Sequence, residues 1–281
     1  MPWSLFHRAP KPRPAEEHAA PLRIGLALGG GAVRGAAHLG VLSVFERASI
    51  APDVVAGTSV GAVVGAGLAA GVPAAEVLAA FGGAGWTRLA KPAWRSKRSM
   101  LDTNPMGELL EKVTSATTFA ELKLPFAAVA SDILTGTTVV MTEGLLSEAV
   151  VASSAIPVIF EPVSREGHLL VDGGLTDNLP VDAARQLGAD FVIAVDIMPP
   201  LDGTYEPHDM RDMVLLSWNI VERGTQSSAA LADFVITPDV VRVSLSDFSQ
   251  LHLAYEAGVA AAEAALPALL IALGRKPISQ P

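Results

Sequence analysis

The sequence predicts an α/β fold: a three-layer sandwich with a mainly parallel central sheet and helices on both faces. Two observations carry this. Short apolar runs typical of buried strands alternate with segments of helical periodicity. The chain has 281 residues, 50% of them hydrophobic and 17% charged. That is long enough to bury a sizeable core without covalent staples, and too apolar for a mostly disordered chain.

The elements follow in order. Residues 23–28 form an apolar strand that ends at glycines. Residues 35–48 have helical spacing, with Leu39, Leu42 and Phe45 on one face. Residues 53–56 read as a second strand, and 60–70 as a helix of small residues. Strands at 126–130 and 137–141 flank the turn signal Thr135-Gly136. A strand at 168–171 follows the turn Glu166-Gly167. A helix at 181–187 is closed by Gly188. Residues 191–196 and 234–237 are strands, and 257–274 an Ala-rich helix broken near Pro267.

Residues 1–21, rich in proline and mixed charge, are expected to be a mobile leader and not a secretory signal. Residues 22–275 form the domain. Within it, 71–119 has no clear strand and reads as a flap or insertion. Residues 54–75 carry no charge over a membrane-spanning length. Their glycines and small side chains favour a buried strand–turn–helix, so no transmembrane helix is expected. The location expected is cytoplasmic, with peripheral membrane contact allowed.

The absence of cysteine excludes disulfide scaffolds, thiolate metal sites and cysteine nucleophiles. The formal charge of −9 argues against nucleic-acid binding. No metal-ligand spacing appears, and oligomeric state is not specified.

Three motifs carry chemistry. Gly57-Thr58-Ser59-Val60-Gly61 is a G-x-S-x-G between a strand and a helix, the context of a nucleophile elbow. Glycines two positions either side relieve crowding in so tight a turn. Ser59 is then held at a helix N-terminus, where developing negative charge is favoured. Gly29-Gly30-Gly31-Ala32-Val33-Arg34-Gly35 also joins a strand to a helix. Its N–H groups fit either a phosphate cradle or an oxyanion hole. It completes neither the dinucleotide nor the P-loop pattern. Asp172-Gly173-Gly174 follows a strand, so its carboxylate can reach across a cleft unobstructed.

These motifs, in this order, resemble the patatin-like phospholipase family, and in particular its single-domain bacterial members. The block Ser153-Ser154-Ala155-Ile156-Pro157, the pairs Ser131-Asp132 and Thr135-Gly136, and Leu179-Pro180-Val181 extend the likeness over residues 22–265. Ala32 departs from the glycine-rich loop. The resemblance implies a Ser59–Asp172 dyad without a histidine, an oxyanion hole from the Gly30 and Gly31 N–H groups, and Arg34 anchoring the loop or adding positive charge. The implied reaction is lipid ester hydrolysis through an acyl-enzyme, of phospholipase A or lysophospholipase type, with no cofactor. Two other readings stay open: a non-catalytic lipid-binding or regulatory protein on the same scaffold, and a Ser59–Asp172–His252 triad, whose residue order is allowed. His208 also follows Asp172. His38 falls near the glycine loop.

A lipid-facing surface is expected where Trp86, Arg88, Lys91, Trp94, Arg95, Lys97 and Arg98 cluster in an otherwise acidic chain.

Overall fold

The computed structural model describes residues 22–82, 85–94, 96–198, 210–225 and 230–275. The expected leader at 1–21 lies outside the described residues, as does His208.

The chain opens with β1 (Ile24–Leu28), a 3-10 turn at Ala32–Gly35, α1 (Ala36–Arg47), β2 (Val54–Thr58) and α2 (Val60–Ala70). Then come α3 (Ala74–Gly82), α4 (Gly85–Leu89), β3 (Lys91–Pro92), β4 (Ser99–Asp102) and α5 (Asn104–Thr114). The middle holds β5 (Phe126–Asp132), β6 (Thr137–Met141), α6 (Leu146–Ser153), β7 (Val158–Phe160), β8 (Val163–Arg165) and β9 (His168–Asp172). The last part holds α7 (Val181–Gln186), β10 (Phe191–Val195), α8 (Met210–Gly224), β11 (Phe234–Ile236) and α9 (Leu251–Ala272).

The main sheet runs β11-β10-β1-β2-β5-β9-β8, and β6 pairs with β5. The pairs from β11 to β5 are parallel, whereas β6, β8 and β9 pair antiparallel. Alternate strand residues serve opposite faces. Leu26, Leu28 and Val55 join a large core with α1, α2, α5, α6 and α9. Ala27, Val54, Ala56 and Val129 join a thinner layer with Val181, Ala183 and Ala184 of α7. Both faces are therefore covered, which explains the continuous apolar runs of the central strands.

Two expectations are corrected. Residues 71–119 do contain strands: β3 and β4 pair antiparallel, and β4 pairs parallel with β7 in a separate small sheet. Runs of two and four partly exposed residues are too short to show periodicity. The C-terminal helix is unbroken through Pro267. Proline removes only its own N–H bond to the Glu263 carbonyl, and Glu263 and Pro267 are both exposed, so that carbonyl is not shut into a dry interior.

A helix over Phe248–Ala272 is long and apolar enough to cross a membrane by length and composition alone. Within the fold it docks along α1. A methyl group on Gly258 would lie 2.0 Å from the Ala37 carbonyl oxygen, and one on Gly40 2.1 Å from that of Tyr255. The two backbones therefore cross in direct contact.

Candidate active site

β1 and β2 run parallel and end side by side, each at a glycine-bearing turn. The crevice beyond such carboxyl ends is where open α/β sheets hold ligands. β2 ends with Thr58 opposite Val129 of β5, while β9 runs the other way and ends with Asp172 opposite Ala130. The two strand ends thus meet head-on along β5. This register brings Ser59 and Asp172 together although 113 residues of chain, by their numbers, separate them. Gly173 makes the meeting possible: a methyl group there would lie 2.2 Å from the Val129 carbonyl oxygen and 2.9 Å from Thr58 Cγ2.

Ser59 has φ 55° and ψ −124°, rarely adopted by a residue with a side chain. The turn leaves no room at its flanks. A methyl on Gly57 would lie 2.3 Å from the Gly61 carbonyl oxygen, and one on Gly61 2.1 Å from that of Leu28. The Ser59 N–H donates to Ser153 Oγ at 2.9 Å, and the Ser153 hydroxyl donates to the Val129 carbonyl at 2.6 Å. Ser153 therefore ties the elbow to β5. The sequence contains this serine in a recognisable block but gives no sign of its partner.

Asp172 is fully buried. Its Oδ1 accepts from the Gly174 N–H at 2.8 Å, and Oδ2 has no hydrogen-bond partner among the described residues. Burial pushes its carboxyl up to about 7, against the opposing pull of the Ser59 hydroxyl and the Gly174 N–H. A stronger base results than an ordinary aspartate supplies.

The glycine loop departs from expectation in one respect. The Gly30 N–H faces Asn178, whose carbonyl and Oδ1 each lie 3.2 Å away. The carbonyl of the same peptide, that of Gly29, accepts from His38 Nε2 at 2.8 Å. Both ends of this peptide plane are clamped, so Gly30 is not an available donor in this geometry. The N–H groups of Gly31 and Val60 carry no hydrogen bond among the described residues. Val60 follows Ser59 at the first position of α2, where helix N–H groups lack intrahelical partners. Ala32 adopts a left-handed φ of 50°. Arg34 Nε donates to the Val243 carbonyl at 2.9 Å, tying the loop to the segment before α9.

No histidine of the described residues hydrogen-bonds to Ser59 or Asp172. His252 is exposed and its Nδ1 contacts the Ser249 carbonyl at 3.1 Å. His168 Nδ1 lies 2.9 Å from Asp132 Oδ2 and holds that carboxyl down at about 2. His38 is wholly buried, and desolvation lowers it to about 4, so it is neutral.

On one side Ser59 borders an apolar cavity of about 130 Å³. Val63, Phe81, Leu89, Met106, Ile156 and Phe160 line it, so α2, α3, α4 and α5 all contribute walls. On the other side lies Glu222 of α8, a buried acid without a motif signal. The Thr225 hydroxyl, next to the end of α8, donates to the Gly174 carbonyl at 2.7 Å.

Of the expected surface cluster, Arg88, Lys91, Trp94, Lys97 and Arg98 are exposed, and Trp94 is 90% accessible. The Trp86 side chain and Arg95 lie outside the described residues. Met100 and Val158, on the small sheet, are also exposed.

A family model described as patatin-like phospholipase matches residues 26–185. An uncharacterised NTE family protein of Mycobacterium tuberculosis is 34% identical over 220 residues, which are 75% of this chain and 58% of that protein. Patatin-like phospholipase domain-containing protein 6 of Homo sapiens is 35% identical over 193 residues, 62% of this chain and 13% of that protein. The chain thus matches little more than half the length of the mycobacterial relative and a small part of the human one. Among solved structures, VipD from Legionella pneumophila aligns with a TM-score of 0.57 at 14% identity, over 88% of this chain and 67% of that one. At that identity the likeness is one of fold.

Proposed function

The chain belongs to the patatin-like phospholipase family, and from that premise we propose that it is a lipid acyl hydrolase, of phospholipase A or lysophospholipase type, working through a Ser59–Asp172 dyad. The observation that carries the reading is the head-on meeting of β2 and β9 along β5, with no histidine of the described residues bonded to either side chain.

Asp172 takes the proton from Ser59 Oγ as that oxygen attacks the ester carbonyl carbon. The negative charge on the carbonyl oxygen is met by the N–H groups of Gly31 and Val60, at the positive end of α2. Collapse of the tetrahedral species breaks the bond to the alcohol, which leaves with the proton held by Asp172. Water then attacks the acyl-enzyme, Asp172 accepts its proton, and Ser59 is regenerated as the fatty acid departs. The apolar cavity beside Ser59 suits an acyl chain. This route uses no metal or cofactor.

The substrate lies in a membrane or micelle, so the protein must meet an interface. Trp94 with Lys91, Lys97 and Arg98 supports a peripheral contact with anionic headgroups. A fluorophosphonate probe tests the reading directly. Covalent labelling of the wild type, lost in Ser59→Ala, is expected. Equal labelling of both, or lipid binding without labelling or turnover, defeats it and favours the non-catalytic alternative.

A further inference from the structure

A second carboxyl shares the buried centre. Glu222 is 3% exposed and Asp172 0%. A methyl group on Gly174 would lie 2.7 Å from Glu222 Oε1 and 3.2 Å from Asp172 Oδ1. The two carboxyls therefore flank one small gap, within about 6 Å of each other, the range in which like charges oppose one another's ionisation. The same Glu222 Oε1 would lie 3.1 Å from a methyl on Gly30, which itself would be 3.3 Å from Ser59 Cβ. Glu222 thus reaches the glycine loop, where the reaction builds negative charge.

We propose that Glu222 is a positioning acid of this site: it stays protonated beside the Asp172 carboxylate, and its ionisation at alkaline pH shuts the reaction down. The inference rests on the dyad reading above. Its physical basis is a count of charge. One carboxylate in this gap is the working base. A second would face the developing oxyanion across the loop and repel it, in a water-poor site where such repulsion is strong. The groups facing Glu222 among the described residues agree. Burial first and the Asp172 carboxylate second push its carboxyl well above the ordinary range, while Trp218 and the Arg34 guanidinium pull the other way without prevailing. One carboxylate in the gap disfavours a second, so the remaining proton is held to higher pH.

The consequence is a bell-shaped dependence of kcat on pH whose alkaline limb belongs to Glu222. Glutamine keeps the shape of the side chain and cannot ionise. Turnover of a short-chain p-nitrophenyl ester by the full chain, corrected for spontaneous hydrolysis, is to be followed from about pH 5 to about pH 10. In Glu222→Gln the alkaline limb is expected to vanish. The ratio of kcat one pH unit above the wild-type limb to that at the optimum should rise by roughly tenfold. A Glu222→Gln limb unmoved from wild type, or a loss equal at every pH, overturns the proposal.

A readout without catalysis accompanies it. A carboxyl raised on folding makes the wild type lose stability relative to Glu222→Gln as pH climbs above the unfolded value. Urea midpoints that run parallel for the two proteins across this range also overturn it. Asp172→Asn separates the two readings: full activity in that variant ends the dyad, while the urea comparison still judges Glu222.

Discussion

Ser59 is held in a backbone conformation that costs on the order of 1–3 kcal/mol, and its surroundings show what enforces it. Gly57 and Gly61 admit the backbone contacts, and Ser153 holds the Ser59 N–H. Ser59→Ala should therefore remove all ester hydrolysis while circular dichroism and the unfolding midpoint stay near wild type. The burial of Asp172 has two consequences of opposite value. A carboxyl at about 7 must lose its proton to act, so kcat/KM should rise about tenfold per unit as pH approaches 7 from below. For stability the sign reverses. A folded value above the unfolded 3.8 contributes stability that is present below 3.8 and lost as pH rises through 7. Asp172→Asn should be inactive yet more stable than wild type at pH 8, by roughly 1–4 kcal/mol. Unfolding titrations at pH 5 and pH 8 check this. His38 behaves oppositely. Its folded value of about 4 lies below 6.5, so its contribution is present above 6.5 and lost as pH falls toward 4, by about 3 kcal/mol. Measured against His38→Gln, which shares every other titrating group, the wild type should lose that stability between these values.

At the scale of elements, the contact between α1 and α9 is the least tolerant of change. Gly258→Val would drive a branched side chain into the Ala37 carbonyl, 2.0 Å from the first added carbon. The backbones must separate, and a loss of about 3 kcal/mol or more is expected in denaturant titration. Pro267 makes the reverse prediction. It stands exposed within the continuous α9 helix, so Pro267→Ala restores one helix bond and should raise the unfolding free energy by roughly 1–3 kcal/mol, read as a higher midpoint in denaturant. That sign would not hold for a proline at a real helix break, so the measurement also tests the continuity of α9.

Over the whole molecule, the apolar cavity borders both Ser59 and, through Phe160 of β7, the small sheet. α3, α4 and α5 wall the cavity on one side, and the chain between α4 and α5 carries the exposed Trp94 and its basic neighbours. On the proposed reading, these exposed residues are where the protein meets the interface that supplies its substrate. Trp94→Ala combined with Lys97→Ala and Arg98→Ala should reduce hydrolysis of anionic vesicles several-fold and leave a soluble short-chain ester untouched. Neutral vesicles should show a smaller loss, since each cation contributes about 1 kcal/mol only near a negative surface. Equal losses on both substrates would show a folding defect instead.

The sequence by itself determined the order of the main strands and helices, because periodicity and glycine punctuation are local. It also marked Ser59, Asp172 and the glycine loop, since a strand–turn–helix with no room for side chains leaves a pattern in composition. It could not show β3 and β4, which are too short to be periodic, nor the unbroken α9, because a proline in sequence reads the same whether its helix face is wet or buried. Only the tertiary structure decided which amides of the loop are available. The Gly29–Gly30 peptide is clamped by His38 and Asn178, which are 9 and 148 residues away from their partners. The partners of Ser153 and the surroundings of Glu222 were invisible for the same reason. What surrounds them comes from elsewhere in the fold, and a single acid or hydroxyl carries no record of a neighbour brought in from another part of the chain.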